Sequence, residues 1–227
     1  MTTTPAVDLV VLDIAGTTIE EHGAVYRALA DAVVSAGGSP SPTDIDAWMG
    51  ADKHEAVAAL LQAGGRPVAS AEQVETVYQD FRERLRQAYL DQPPAPLDGV
   101  PEALATLRAA GVQVALTTGF TREVAHSLLA MVGWSEGVLD AVVTVDDVAA
   151  GRPAPYMIFR AMELTGVRSV GRVLVAGDTT RDLTAGVNAG AAFVVGVLTG
   201  GQDAVALGAV RHTHLLHGVK DLPGLVL

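Results

Sequence analysis

Residues 7–12, VDLVVL, form a run of β-branched and apolar side chains that stops at the turn-forming DIAGTT. The run predicts a buried strand whose carboxyl end carries polar groups. Three similar runs follow at residues 112–117, 173–176 and 192–197, with a weaker one at 141–144. Between them the apolar period changes. Val100, Leu104 and Leu107, then Val124, Leu128 and Met131, recur at the spacing of one helix face. Short strands alternating with helices of this length predict an α/β fold, a doubly wound parallel sheet covered on both faces.

The alternation breaks after the first strand. From about residue 19 to 98 no strand-like run is read, and the apolar residues keep a helical spacing. Val74, Val77, Phe81 and Leu85 make one stripe, and Ala28, Leu29, Ala32 and Val33 begin another. The segment DQPPAPLDG at 91–99 then stops the last helix and returns the chain to the sheet. The expected organisation is a core of residues 1–18 and 99–227 with an inserted α-helical cap at 19–98.

Composition narrows the partners. The chain carries 26 acidic against 15 basic side chains, a formal net charge of −11, which speaks against nucleic-acid binding through phosphate contacts. At 49% apolar and 18% charged residues it is not disordered. With no cysteine there is no disulfide, no thiol nucleophile and no Cys-ligated metal. The amino-terminal stretch lacks a cationic region and its apolar run is interrupted by Asp8 and Asp13, so no signal peptide is expected. No apolar run approaches the ~20 residues of a membrane span. A cytoplasmic protein without a membrane partner is expected.

In open parallel sheets ligands bind beyond the carboxyl ends of the strands. Asp13, Gly16, Thr17 and Thr18 fall there after the first strand, Thr117 and Thr118 after the second. Asp146, Asp147 and Arg152 follow the weak third, and Gly177, Asp178, Thr179 and Asp182 the next. Buried carboxylates each cost several kcal/mol of desolvation, as a rough scale, unless paired or metal-bound. Several on one sheet edge therefore point to a cation, and oxygen ligands alone point to Mg²⁺. Asp182 lies four residues after Asp178 at a helix opening, so both can face one side. Thr117 and Thr118 are neighbours on a strand and face opposite ways. Asp146 and Asp147 also point apart and read as loop or capping residues. His212, His214 and His217 read as surface residues of a short edge strand and loop.

DIAGTT, LTTG, AGRPAP and GDTTRD, in that order and each after a strand, resemble the four motifs of the haloacid dehalogenase superfamily of phosphohydrolases. Four narrower features are similar to the phosphonoacetaldehyde hydrolases, or phosphonatases, within it. They are Ala15, TTGFTRE at 117–123, TVDDVAAGRPAPYM at 144–157 and MGADK at 49–53. The resemblance covers the sheet domain and is thin in the insert.

The resemblance implies that Asp13 is a nucleophile that takes up the phosphoryl group, and that Mg²⁺ is held by the Asp13 carboxylate, the Ala15 carbonyl and Asp178. It places Gly16, Thr17, Thr118, Gly119 and Arg152 around the phosphoryl group, with the N–H groups of residues 15–17 as an anion nest. Asp182 would support the metal's waters. Arg152 stands where most of the superfamily carries Lys. Ala15 stands where most of its phosphatases carry a second Asp, which protonates the leaving oxygen. Phosphonatases instead use a cap lysine that forms a Schiff base with the aldehyde; Lys53 matches it, and Met49 matches a residue beside it. Ala56 departs from the pattern, which has a histidine there. The expected substrate is a small phosphonate. The alternative is a small phosphate monoester, phosphoglycolate-like or sugar-phosphate-like, with Lys53 only binding it. The resemblance also points to a homodimer.

Overall fold

A computed structural model describes residues 5–227; the first residues of the stretch argued to be no signal peptide, 1–4, lie outside them. In chain order the elements are β1 (Leu9–Asp13), β2 (Ile19–Glu20), α1 (Ala24–Ser35), α2 (Pro42–Ala47), α3 (Lys53–Leu61), α4 (Ala71–Asp91) and β3 (Ala95–Pro96). They continue with α5 (Val100–Ala109), β4 (Gln113–Thr117), α6 (Arg122–Met131), β5 (Ala141–Val143) and α7 (Tyr156–Thr165). Last come β6 (Val173–Gly177), α8 (Thr180–Ala189), β7 (Phe193–Val197), α9 (Ala204–Gly208), β8 (His214–Leu216) and α10 (Leu222–Val226).

Two compact units result. One runs up to Glu20 and resumes at Ala95–Leu227; the other is Glu21–Pro94. The first holds a six-stranded sheet in the order β5-β4-β1-β6-β7-β8, every pairing parallel. Leu9, Val10, Val11 and Leu12 of β1 are all fully buried, so this central strand is covered on both faces. Leu9 and Val11 share one side with Ala115, Val143, Val173 and Val175 and meet Met157, Ile158 and Ala161 of α7 and Ala185 and Ala189 of α8. Burying side chains of this size stabilises by roughly 1.5–3 kcal/mol each. The chain leaves β1 for β4 and β5 on one side and crosses back to β6, β7 and β8 on the other. That reversal opens a crevice at the carboxyl ends of β1, β4 and β6.

Strand ends shift by one or two residues from the sequence expectation, and two of the differences have a structural reason of their own. β1 includes Asp13, which pairs with Thr117, because the parallel ladder continues one residue past the apolar run. And the region read as helical throughout contains Ile19–Glu20, which pairs antiparallel with Ala95–Pro96. A two-residue ladder leaves no periodicity to read; it ties residues 19, 20, 95 and 96 to the sheet unit.

The helical unit packs α1, α3 and α4 together. Leu29 and Val33 of α1, Val57 and Leu60 of α3 and Val77, Phe81 and Leu85 of α4 are buried. Tyr78 is buried as well, while Val74 is only half-buried and lies at the edge of the expected stripe. The starts of α3 and α4 carry side-chain caps. Asp52 accepts the Glu55 N–H at 3.0 Å, and Ser70 accepts the Gln73 N–H at 3.2 Å. Among the described residues no helix is long and apolar enough to cross a membrane.

Candidate active site

Asp13 ends β1 and is buried. The turn after it is closed by its own backbone: the Thr18 and Ile19 N–H groups both donate to the Ile14 carbonyl at 2.9 Å, and the Thr18 hydroxyl donates to the Asp13 carbonyl at 3.0 Å. Gly16 takes φ +78°, a left-handed conformation that suits glycine. Here the expected nest is corrected. The Gly16 N–H donates to the Ile19 carbonyl at 2.9 Å and the Thr17 N–H to that of Ile14 at 3.3 Å, so the turn itself uses both donors. Ala15 and Gly16 are half-buried, and Thr17 is fully buried.

Arg152 reaches the same place from the loop after β5, and its side chain is buried. Its Nη2 lies 2.7 Å from Asp13 Oδ1, and its Nη1 faces Asp182 Oδ1. The Nε is buried and has no hydrogen-bond partner among the described residues. Asp178 follows β6. Its Oδ1 accepts the Thr17 hydroxyl at 2.9 Å and its Oδ2 the Gly201 N–H at 2.8 Å. Burial raises the Asp178 carboxyl and the charge of Asp13 adds to it; against the opposing hydrogen bonds, these leave it at about 6. Asp182 lies in the first turn of α8, where it forms a capping box with Thr179 and accepts that residue's N–H at 3.1 Å. It therefore serves the helix start and meets Arg152 with the same carboxylate.

One oxygen each from Asp13, Asp178 and Asp182 lies within 4.8 Å of the others, the only such group among the described residues. His212, His214 and His217 form none; His214 sits in the edge strand β8, as expected. Three buried carboxylates against one guanidinium leave an excess of negative charge that a divalent cation would balance. The donors are oxygens only, which suits Mg²⁺.

Thr118 is buried just beyond β4. Its hydroxyl oxygen accepts the Phe120 N–H at 3.2 Å, an arrangement that leaves the hydroxyl proton to donate elsewhere. Thr117 and Gly119 beside it are also buried. Asp146 and Asp147 stay out of the cluster. Asp146 accepts the Arg122 N–H at 2.7 Å, and Asp147 caps the turn at Thr144.

Lys53, in the helical unit, is the first residue of α3 and is buried rather than solvated. Its Nζ donates to the Ala51 carbonyl at 2.8 Å and lies 5.7 Å from the centre of the Tyr26 ring, whose hydroxyl accepts the Gly50 N–H at 3.1 Å. Met49 is half-buried, and Ala56 is fully buried.

The residues after β7 carry no motif that singles them out in the sequence, although TGGQ at 199–202 has the Thr and Gly that the other strand-end turns have. Thr199 donates its hydroxyl to the Gly16 carbonyl at 2.7 Å, Gly201 holds Asp178, and the Gln202 side-chain oxygen accepts the Thr180 N–H at 2.7 Å.

A parallel sheet with this strand reversal, and a carboxylate cluster gathered at its crevice, agree with what sequence comparison finds. The haloacid dehalogenase-like hydrolase family model matches residues 7–190, and the chain belongs to that family. It is a hydrolase. Phosphonoacetaldehyde hydrolase of Bacillus cereus is 37% identical over 139 residues, 61% of this chain and 52% of that protein. The chain thus spans about half the length of the curated relatives it matches. Among solved structures, a hydrolase from Pseudomonas syringae superposes with a TM-score of 0.83 at 22% identity, covering 96% of each chain. A phosphonoacetaldehyde hydrolase-like protein from Oleispira antarctica superposes with a TM-score of 0.80 at 20% identity, over 99% of this chain and 93% of that one. Likeness at these identities concerns the fold.

Proposed function

We propose that this hydrolase cleaves the carbon–phosphorus bond of a small phosphonate, phosphonoacetaldehyde first, giving acetaldehyde and phosphate. Asp13 is the nucleophile: a carboxylate oxygen attacks phosphorus and forms an aspartyl-phosphate, which water then hydrolyses. Arg152 and the Thr118 hydroxyl bind the phosphoryl oxygens, with Gly16, Thr17 and Gly119 lining their place. A bound Mg²⁺, held by Asp13, the Ala15 carbonyl and Asp178, would supply charge neutralisation between carboxylate and phosphoryl group. Asp182 keeps Arg152 and the metal's surroundings in place from the start of α8.

The observation that carries the phosphonate reading is Ala15. A phosphate ester with a poor leaving group needs a proton on its departing oxygen, and an alanine has none to give. A carbon leaving group needs an electron sink instead. The Lys53 amine condenses with the aldehyde, losing water, to give an imine; as the carbon–phosphorus bond breaks, its electron pair moves into that imine and forms an enamine. A proton from water then restores the ethylidene imine, whose hydrolysis releases acetaldehyde and the free amine. The burial of Lys53 and the 37% identity to a phosphonoacetaldehyde hydrolase support this reading.

Ala56 favours a second reading, in which the chain hydrolyses a small phosphate monoester and Lys53 only binds it, with Met49 beside it. Borohydride added during turnover of phosphonoacetaldehyde separates the two. The first reading predicts a reduced two-carbon or phosphonate-bearing adduct on Lys53, found by peptide mass spectrometry. It also predicts that Lys53→Arg abolishes phosphonate cleavage while sparing most aryl phosphate hydrolysis. An unmodified Lys53 together with an active Lys53→Arg variant supports the second. A homodimer and a cytoplasmic setting belong to the proposal too, and light scattering tests the dimer.

A further inference from the structure

We infer that residues 199–202, the loop after β7, are a positioning clamp that sets the Asp178 carboxylate for metal binding. The inference rests on the proposed metal role of Asp178 and adds residues that no motif of the family resemblance contains.

The loop joins three parts of the site. Thr199 bonds to the Gly16 carbonyl in the turn after the nucleophile, Gly201 to Asp178 Oδ2, and Gln202 to the backbone N–H of Thr180 at the opening of α8. With Thr17 on Oδ1, each oxygen of Asp178 holds one fixed donor. Rotating the carboxylate about its Cβ–Cγ bond breaks one of these bonds, so the clamp fixes the direction in which the remaining lone pairs point. Outer hydrogen-bond partners of this kind orient metal-binding carboxylates and tune their affinity.

Gly200 closes the arrangement by its lack of a side chain. A Cβ there would lie 2.0 Å from Asp178 Oδ2 and 2.3 Å from its Cγ. Its backbone is not in the left-handed region that favours glycine, so an alanine meets no conformational penalty of its own and acts through the space that Asp178 occupies. Gln202 supplies the anchor: its amide oxygen satisfies an N–H that the helix leaves unpaired.

The test is the rise of Tm with Mg²⁺, which reports binding without any turnover, measured for wild type, Gly200→Ala, Gln202→Ala, Gln202→Glu and Asp178→Asn. Gly200→Ala should raise the half-saturating Mg²⁺ concentration by on the order of tenfold or more, and Gln202→Ala by a smaller factor in the same direction. Gln202→Glu keeps an acceptor for Thr180 and should restore the wild-type value to within about twofold. If the loop were merely structural, these variants would lower Tm in EDTA and leave the half-saturating concentration unchanged. That result, alongside an Asp178→Asn protein that no longer responds to Mg²⁺, overturns the clamp and leaves the metal reading of Asp178 standing. An Asp178→Asn protein that responds as wild type does overturns both.

Discussion

Arg152 Nη2 stands 2.7 Å from Asp13 Oδ1, and the two side chains are only 4% and 8% exposed. The same guanidinium faces Asp182, so one cation serves two buried carboxylates from different strand ends. Breaking a buried pair by removing one partner is costly, about 3–5 kcal/mol where it leaves a charge uncompensated. In the proposed mechanism the same cation also binds the transferring phosphoryl group, so its loss is expected to reach the rate.

Arg152→Met should therefore lower kcat by about 10²–10³, the scale of losing one preorganised electrostatic contact to the transition state. Arg152→Lys keeps the charge but has no planar fork to span Asp13 and Asp182, so its kcat should fall between the two. Steady-state kinetics on phosphonoacetaldehyde, with thermal melts in EDTA as the control for folding, reads both. A Met variant with wild-type kcat removes Arg152 from the reacting group.

The Asp178 carboxyl, raised to about 6 by burial and by Asp13, gives a pH dependence whose sign follows from its ordinary value of 3.8. A carboxyl whose pKa is higher folded than unfolded favours the native state most below the unfolded value, and that contribution is lost as pH rises through the folded one. In EDTA this group should therefore make the protein less stable at pH 7 than at pH 5. Mg²⁺ competes with the proton, so the rise of Tm at a fixed Mg²⁺ concentration should be small at pH 5 and grow through pH 6 to 7.5. In Asp178→Asn the growth should disappear. A Mg²⁺ response that is flat across this range contradicts the assignment.

What could be read before the structure, and what could not, follows from the range of the interactions. β1, β4, β6 and β7 announce themselves because a strand buried on both faces must be apolar along its whole length, and Leu9 to Leu12 are. Asp13 extends β1 because the backbone ladder, which carries no sequence mark, runs on to Thr117. The same blindness hides the Ile19–Glu20 and Ala95–Pro96 pair. In the site, the gathering of Asp13, Asp178 and Asp182 was legible from their places at strand ends. The Thr17 hydroxyl on Asp178 was not: it links residues 161 apart in the chain, and the family resemblance points to the Thr17 N–H instead. The loop from Thr199 to Gln202 is hidden for a related reason: its hydrogen bonds, two from side chains and one from the Gly201 backbone, go to residues 22 to 183 positions away in the chain.

Trapping the phosphorylated form of Asp13 tests its role as the nucleophile most directly. An acyl phosphate is reduced by borohydride to the alcohol, which turns an aspartyl-phosphate into homoserine, whereas a free carboxylate is untouched. 4-Nitrophenyl phosphate serves as the phosphoryl donor, because nitrophenolate leaves without the acid that Ala15 cannot supply. Acid quench during turnover with Mg²⁺, reduction and peptide mass spectrometry should show homoserine at position 13 in the wild type. Asp13→Asn should show none and should have lost turnover while keeping its fold. Phosphate released by the wild type with residue 13 unmodified at every quench time would contradict the covalent route through Asp13.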